Sequence, residues 1–316
     1  MQAPMPNTSS PLPRLVLYLL AVMVGGALLA PLLFQLGQQT QAWLEGSPMG
    51  DSGPGHWLLS EIKRAHFTRY FNRAVLVCAL VFIWPCLHGL RLQRDRLPSW
   101  KLSAQALKSF GIGFSLAAGL LLLMGFLFIE FGAYQLRPSP GWMKLKEPIT
   151  AALGASLIEE FFFRALLLGL LLGSMTRRPA VFWAVFIFAI VHFLKPPEGW
   201  QIADDQITWA SGFIVLGQMA LGFSDMQFLL AEFATLAAVG WALTRARLQT
   251  AALWAGIGLH AGWVFGLKWF SGLTFHVKGW LPWIGPNLKV GLVPLAVVLV
   301  TGWLALQLLP REQETR

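Results

Sequence analysis

The residues best placed to do chemistry lie in Ser156-Leu157-Ile158-Glu159-Glu160-Phe161-Phe162-Phe163-Arg164, where two adjacent carboxylates and a guanidinium interrupt the apolar run 149–175. At a helical rise of about 1.5 Å per residue that run is long enough to cross a bilayer, so the charges fall near membrane depth. An ionisable group there costs about 2.5–3.5 kcal/mol and must face a protein interior or a wet cavity. Glu160 and Arg164 are four apart, which puts them on one helix face in the favourable order for an ion pair, whereas Glu159 lies about 100° round the helix. One reading is a buried ion pair that locks helices together. A structural pair needs only one carboxylate, however, and a second adds desolvation cost without a partner. The spacing therefore predicts one acid held by Arg164 and one free to act as a general base.

Two histidines on other apolar segments can meet these acids. Phe188-Ala189-Ile190-Val191-His192 ends one run with an aromatic ring and an imidazole four apart on one face. His260 lies in the middle of another, flanked by Gly256, Gly258 and Gly262, small residues that let a neighbouring helix approach closely. The bland alternatives are an interfacial His192 and a His260 bonded to a carbonyl. A glutamate and two histidines around one cavity suit either a general base that activates water or, with Glu159, His192 and His260 as ligands, a catalytic metal such as zinc. Both lead to hydrolysis. Glu232 is a further acid inside an apolar run; a helix-helix hydrogen bond or contact with a wet cavity accounts for it.

These residues need helices to hold them. The chain has 316 residues, 56% hydrophobic and 12% charged, with a mean hydropathy of +0.59. That composition predicts an all-α, polytopic transmembrane helix bundle of about eight spans, near 15–36, 74–92, 107–131, 149–175, 180–194, 226–243, 252–270 and 290–309. The segment 207–222 is short for a span and is expected as an interfacial or re-entrant helix. The net charge of +9 sits in short connections, among them Arg91, Arg94, Arg96, Lys101, Arg177, Arg178, Arg245 and Arg247. This reads as topology, with both termini cytoplasmic in a bacterial inner membrane, and not as a nucleic-acid surface. Segment 38–67 is expected as the largest polar connection, with Gly46–Gly55 a flexible turn cluster. Cys78 and Cys86, eight apart in one run, are too far apart to bridge within a helix. There is no P-loop, no dinucleotide-binding glycine fingerprint and no His-Glu-x-x-His zinc helix. The expected organisation is a three-span N-terminal region with its polar loop (1–147), a helical core (148–270) and a C-terminal span and tail (271–316), all one membrane domain.

Taken in order, Glu159-Glu160-x-x-x-Arg164, Phe188-x-x-x-His192 and His260 resemble the motifs of the CPBP/Abi family, which includes the type II CAAX prenyl endopeptidases, glutamic-type intramembrane proteases. The resemblance covers about 148–270. It departs at the third motif, usually His-x-x-x-Asn, which here reads His260-Ala-Gly-Trp-Val264. The resemblance implies cleavage of a membrane-anchored or prenylated protein or peptide in or near the lipid bilayer. Glu159 and His192 would polarise water, with Glu160 and Arg164 completing the set, and His260 would stabilise the oxyanion. It leaves the cofactor as either none or zinc. Trp263 or a backbone amide is then expected to replace the missing asparagine. The competing expectations are a catalytically decayed relative serving as a scaffold or bacteriocin-immunity factor, and a proton-linked transporter.

Overall fold

The structure is a computed structural model and describes residues 11–51, 53–87, 96–196, 199–221 and 226–311. Arg91, Arg94 and parts of both termini, on which the orientation argument drew, lie outside them. The helices are α1 (Pro11–Glu45), α2 (Gly53–Lys63), α3 (Phe67–Leu87), α4 (Ala104–Glu130), α5 (Lys146–Glu160), α6 (Leu168–Ser174), α7 (Arg177–Val191), α8 (Ser211–Leu221), α9 (Met226–Thr250), α10 (Trp254–Leu273) and α11 (Leu292–Leu308). A π-helical segment, Phe161–Leu167, joins α5 to α6 without a break. The one sheet among the described residues is a short antiparallel pair, β1 (Tyr134–Leu136) with β2 (Thr274–His276). The chain is all-α in class. Its contacts divide it into two units, one of residues 1–90 and 193–224, the other of 91–192 and 225–316.

The first unit is built on α1, against which α3 and α8 pack. Its core gathers Ala27, Ala30, Phe34, Phe67, Tyr70, Phe71, Ala74, Val215 and Met219. The Phe34 ring meets Phe67 and Tyr70 edge-on, with centroids 5.9 and 5.5 Å away. Gly212 brings α8 onto the α1 backbone: a Cβ there would lie 1.9 Å from the Ala27 carbonyl oxygen. The polar stretch 38–67 is more ordered than its composition suggested. α1 continues through Gln38–Glu45, rich in good helix formers, and α2 occupies 53–63, so the turn residues are confined to the short link between them. Lys63 closes that link with an ion pair to Glu45 at 2.8 Å. Cys78 and Cys86 are both free thiols.

The second unit is organised by α10, which packs most extensively on α4 and also on α5 and α9. Small residues make this possible. A Cβ on Gly258 would lie 2.2 Å from the Phe110 carbonyl oxygen, and one on Gly262 2.5 Å from that of Phe114. With Gly266 against Leu121, these form a small-residue stripe at four-residue spacing that brings two helix backbones into contact. β1 and β2 extend the pairing of α4 and α10 beyond their ends, and Tyr134 secures it by donating its hydroxyl to the Gly285 carbonyl at 3.2 Å.

Four described helices, α1, α3 (as Phe67–Cys86), α4 and α9, are long and apolar enough to cross a membrane. The other expected spans are helices too, with visible reasons for falling short. The run 149–175 is divided by the π segment, α7 has 15 residues and α11 has 17. α10 has the length, but His260, Lys268 and its glycines dilute its hydropathy. At 11 residues α8 is too short to span, since about 20 are needed.

The glycine stripe makes a sharp test. Gly258→Ala must push α10 off α4 and is expected to cost about 1–3 kcal/mol, the usual penalty of overpacking. Gly119→Ala, on the same α4 but with nothing within 4 Å of an added Cβ, is expected to be neutral or slightly stabilising. Thermal unfolding in detergent compares them; equal midpoints would show that α4–α10 contact does not depend on the stripe.

Candidate active site

The two adjacent acids part at the end of α5. Glu160 turns inward and is fully buried, as is Arg164 at 1% exposure. Arg164 Nη1 donates to Glu160 Oε1 at 3.0 Å and its Nη2 reaches the Gly240 carbonyl of α9 at 3.4 Å. The guanidinium also lies over the Phe188 ring, 4.2 Å from its centroid. The π segment carries Arg164 in its interior, the kind of local widening that recurs at functional sites. The sequence expectation of one acid held by Arg164 is met by Glu160.

Glu159 turns the other way, towards both histidines. Its Oε2 lies 3.5 Å from His192 Nε2 and 3.7 Å from His260 Nε2, so the three residues predicted from separate motifs share one locus. The opposite ring nitrogens fix the tautomers. His192 Nδ1 contacts the Phe188 carbonyl at 2.7 Å and therefore donates to it; His260 Nδ1 lies 3.0 Å from Glu160 Oε1, also an acceptor. In the neutral rings both Nε2 atoms then carry the lone pair and face the Glu159 carboxylate. Phe188 is the hub of this arrangement. It is buried, touches His192 (centroids 4.5 Å apart) and meets both His260 and Phe163 edge-on, at 6.2 and 5.1 Å.

Glu159, Phe188, His192 and His260 line a cavity of about 250 Å³ together with Thr235, Trp263, Val264, Lys268 and Lys289. Most of its wall is apolar. Trp263 is buried, and its indole N–H has no hydrogen-bond partner. Val264 lies one helical turn beyond His260 on the same face and offers the cavity no donor. Lys289, from the loop before α11, is the residue sequence reasoning missed. Its signal was Glu232: that buried acid on α9 pairs with Lys289 Nζ at 2.5 Å.

The donor types at Glu159, His192 and His260 are those of a zinc site, and both histidines have the second-sphere acceptors that such ligands use. Their placement does not complete one. Among the described residues no three His, Cys, Asp or Glu side chains are positioned to hold a metal ion.

An acid pair, an arginine and two histidines thus converge from apolar helices on one locus. Residues 141–266 match the Rce1-like family of type II CAAX prenyl endopeptidases, a likeness that covers this segment of the chain and supports the CPBP/CAAX protease resemblance. With its long apolar helices it is an integral membrane protein. The matched segment contains Glu159, Glu160, Arg164, Phe188, His192, His260 and Val264, and ends before Lys289. No curated protein and no solved structure matches the chain.

The buried pair and the cavity-facing acid should differ in what their mutation costs. Arg164→Ala leaves Glu160 buried without its cation and is expected to cost about 3–5 kcal/mol. Glu159→Gln, at a residue 30% exposed, should leave the unfolding midpoint near wild type. A stable Arg164→Ala protein would mean that Glu160 does not rely on that pair.

Proposed function

We propose that the protein is an intramembrane endopeptidase that hydrolyses a peptide bond of a membrane-anchored or prenylated protein or peptide with water activated by Glu159 and His192. The observation that carries this reading is the placement of Glu159 Oε2 within 3.7 Å of both Nε2 atoms while Glu160 and Arg164 are engaged elsewhere. An unengaged carboxylate beside two imidazole nitrogens is a proton acceptor for a water bound among them.

In this mechanism Glu159 takes a proton as the water oxygen attacks the scissile carbonyl carbon. His192, its ring fixed by the Phe188 carbonyl, orients the water through Nε2. His260 in its protonated form donates Nδ1–H to Glu160 and Nε2–H to the developing oxyanion, and Glu160, itself held by Arg164, stabilises that imidazolium. The tetrahedral intermediate collapses with cleavage of the C–N bond, and the proton held by Glu159 passes to the leaving amine. The Trp263 indole N–H supplies an oxyanion donor in place of the asparagine that the family usually carries at position 264. The apolar cavity wall suits an acyl or prenyl anchor beside the scissile bond. We extend the membrane reading to eight crossings, with the α5–α6 run, α7, α10 and α11 added to the four long helices, α8 at the interface and both termini on the cytoplasmic side of a bacterial inner membrane.

The test is cleavage of an internally quenched, S-farnesylated peptide by purified protein in liposomes. Glu159→Gln and His192→Ala should each abolish turnover without loss of folded protein. Normal cleavage by Glu159→Gln removes the general base from the scheme, and no cleavage by wild type favours a non-catalytic scaffold. For the oxyanion, Trp263→Phe should slow single turnover by about 10²–10³, the usual effect of deleting such a donor. Val264→Asn should then bring no gain. A gain of about tenfold, 1.4 kcal/mol, in Val264→Asn would show that the donor is missing and Trp263 does not replace it.

A further inference from the structure

The pair formed by Glu232 and Lys289 is not used by the motif residues, yet Lys289 shares the cavity wall with Glu159, His192 and His260. It comes from a different wall than α10. The loop that carries it is fixed at several points. The Lys289 amide donates to Asn287 Oδ1 at 2.9 Å, the Gly285 amide donates to the Val290 carbonyl at 2.8 Å, and the Gly285 carbonyl accepts from Tyr134. Glu232 is 7% exposed and its Oε1 holds the ammonium. An ammonium has three N–H donors. One is committed to Glu232, which leaves others for a group in the cavity. His192 lies within electrostatic range of this charge.

A purely structural pair would explain the contact by itself, but replacing it with packed apolar side chains is usually neutral or stabilising. Its position in the wall of a cavity whose Val264 offers no donor gives the ammonium something to do. We propose that Lys289 is a further catalytic residue, whose ammonium, steered by Glu232, hydrogen-bonds the scissile carbonyl oxygen as that oxygen becomes an oxyanion. This rests on the hydrolytic reading above. As the water oxygen bonds to the carbonyl carbon, the C=O π pair moves onto oxygen, and Lys289 receives that charge together with His260 and Trp263. When the C–N bond breaks, the pair returns to the carbonyl and the amine leaves with the proton from Glu159. Lys289 itself neither gives nor takes a proton. Glu232 touches no reacting atom and is a positioning residue.

The experiment uses full-length protein in liposomes and the same farnesylated, quenched peptide. Lys289→Met should lower kcat by about 10²–10³ with KM little changed, and Lys289→Arg should recover a substantial part of the loss. Because Lys289→Met strands the buried Glu232, the deciding variant is the double Glu232→Leu/Lys289→Met, which removes both charges and keeps the site packed. It should fold as wild type and remain as slow as Lys289→Met. Recovery of wild-type kcat in the double variant, or a defect confined to KM, overturns the proposal in favour of a structural or substrate-binding pair. Glu159→Gln is measured in parallel. Glu159-dependent cleavage with a normal Lys289→Met removes only the role of Lys289, whereas cleavage that does not depend on Glu159 overturns the hydrolytic reading and this one together.

Discussion

A single buried ion pair governs the second unit. Burying Arg164 and Glu160 costs several kcal/mol for each ion, and that is offset only when the geometry is good and the remaining donors and acceptors are satisfied. Here each satisfaction recruits another helix. The guanidinium takes the Gly240 carbonyl of α9 and the ring face of Phe188 on α7, while the carboxylate takes His260 of α10. Four segments distant in sequence are thus tied to one charge pair. The geometry of the candidate site follows from this, because the His260 ring that Glu160 orients is the ring whose other nitrogen faces Glu159.

The division of labour between adjacent glutamates is a matter of helical angle. Consecutive residues diverge by about 100°, so one can be wholly buried while its neighbour opens on a cavity. Only the buried one needs an arginine. A lone acid could not both anchor the helices and open on the cavity, since the carboxylate that bonds Arg164 and His260 is wholly buried. The same economy holds for Phe188, whose carbonyl fixes His192 while its ring covers Arg164.

The site was more legible in the sequence than the architecture. Charges in apolar runs are conspicuous because they are expensive there, and the four-residue spacings of Glu160 with Arg164 and of Phe188 with His192 translate directly into contacts. Helix class was equally plain from composition. Span lengths were not, because hydropathy cannot show where a π segment widens a helix, nor that the polar stretch after Leu36 continues as helix to Glu45. Lys289 escaped for a different reason. It sits in a loop between a strand pair and a terminal helix, 57 residues from Glu232, and nothing local distinguishes it from the other lysines of the connections. Only the unexplained acid pointed to the need for a partner.

The sequence of α10 shows how packing and chemistry are kept apart on one helix. Gly258, Gly262 and Gly266 recur every fourth residue and face α4. Offset by two, Gly256, His260 and Val264 form a second stripe that faces the acids and the cavity. A Cβ at Gly256 would approach Glu160 Oε2 to 2.8 Å, so this glycine provides room for the carboxylate that orients His260, one turn further on. Val264 lies a turn beyond that, where a side-chain amide would face the cavity. The loss of that amide falls on the chemical stripe and leaves the packing stripe untouched. The substitution therefore leaves the helix that carries His260 undisturbed, and in the proposed mechanism the demand for charge stabilisation passes to the other N–H groups that line the same cavity, the Trp263 indole and the Lys289 ammonium.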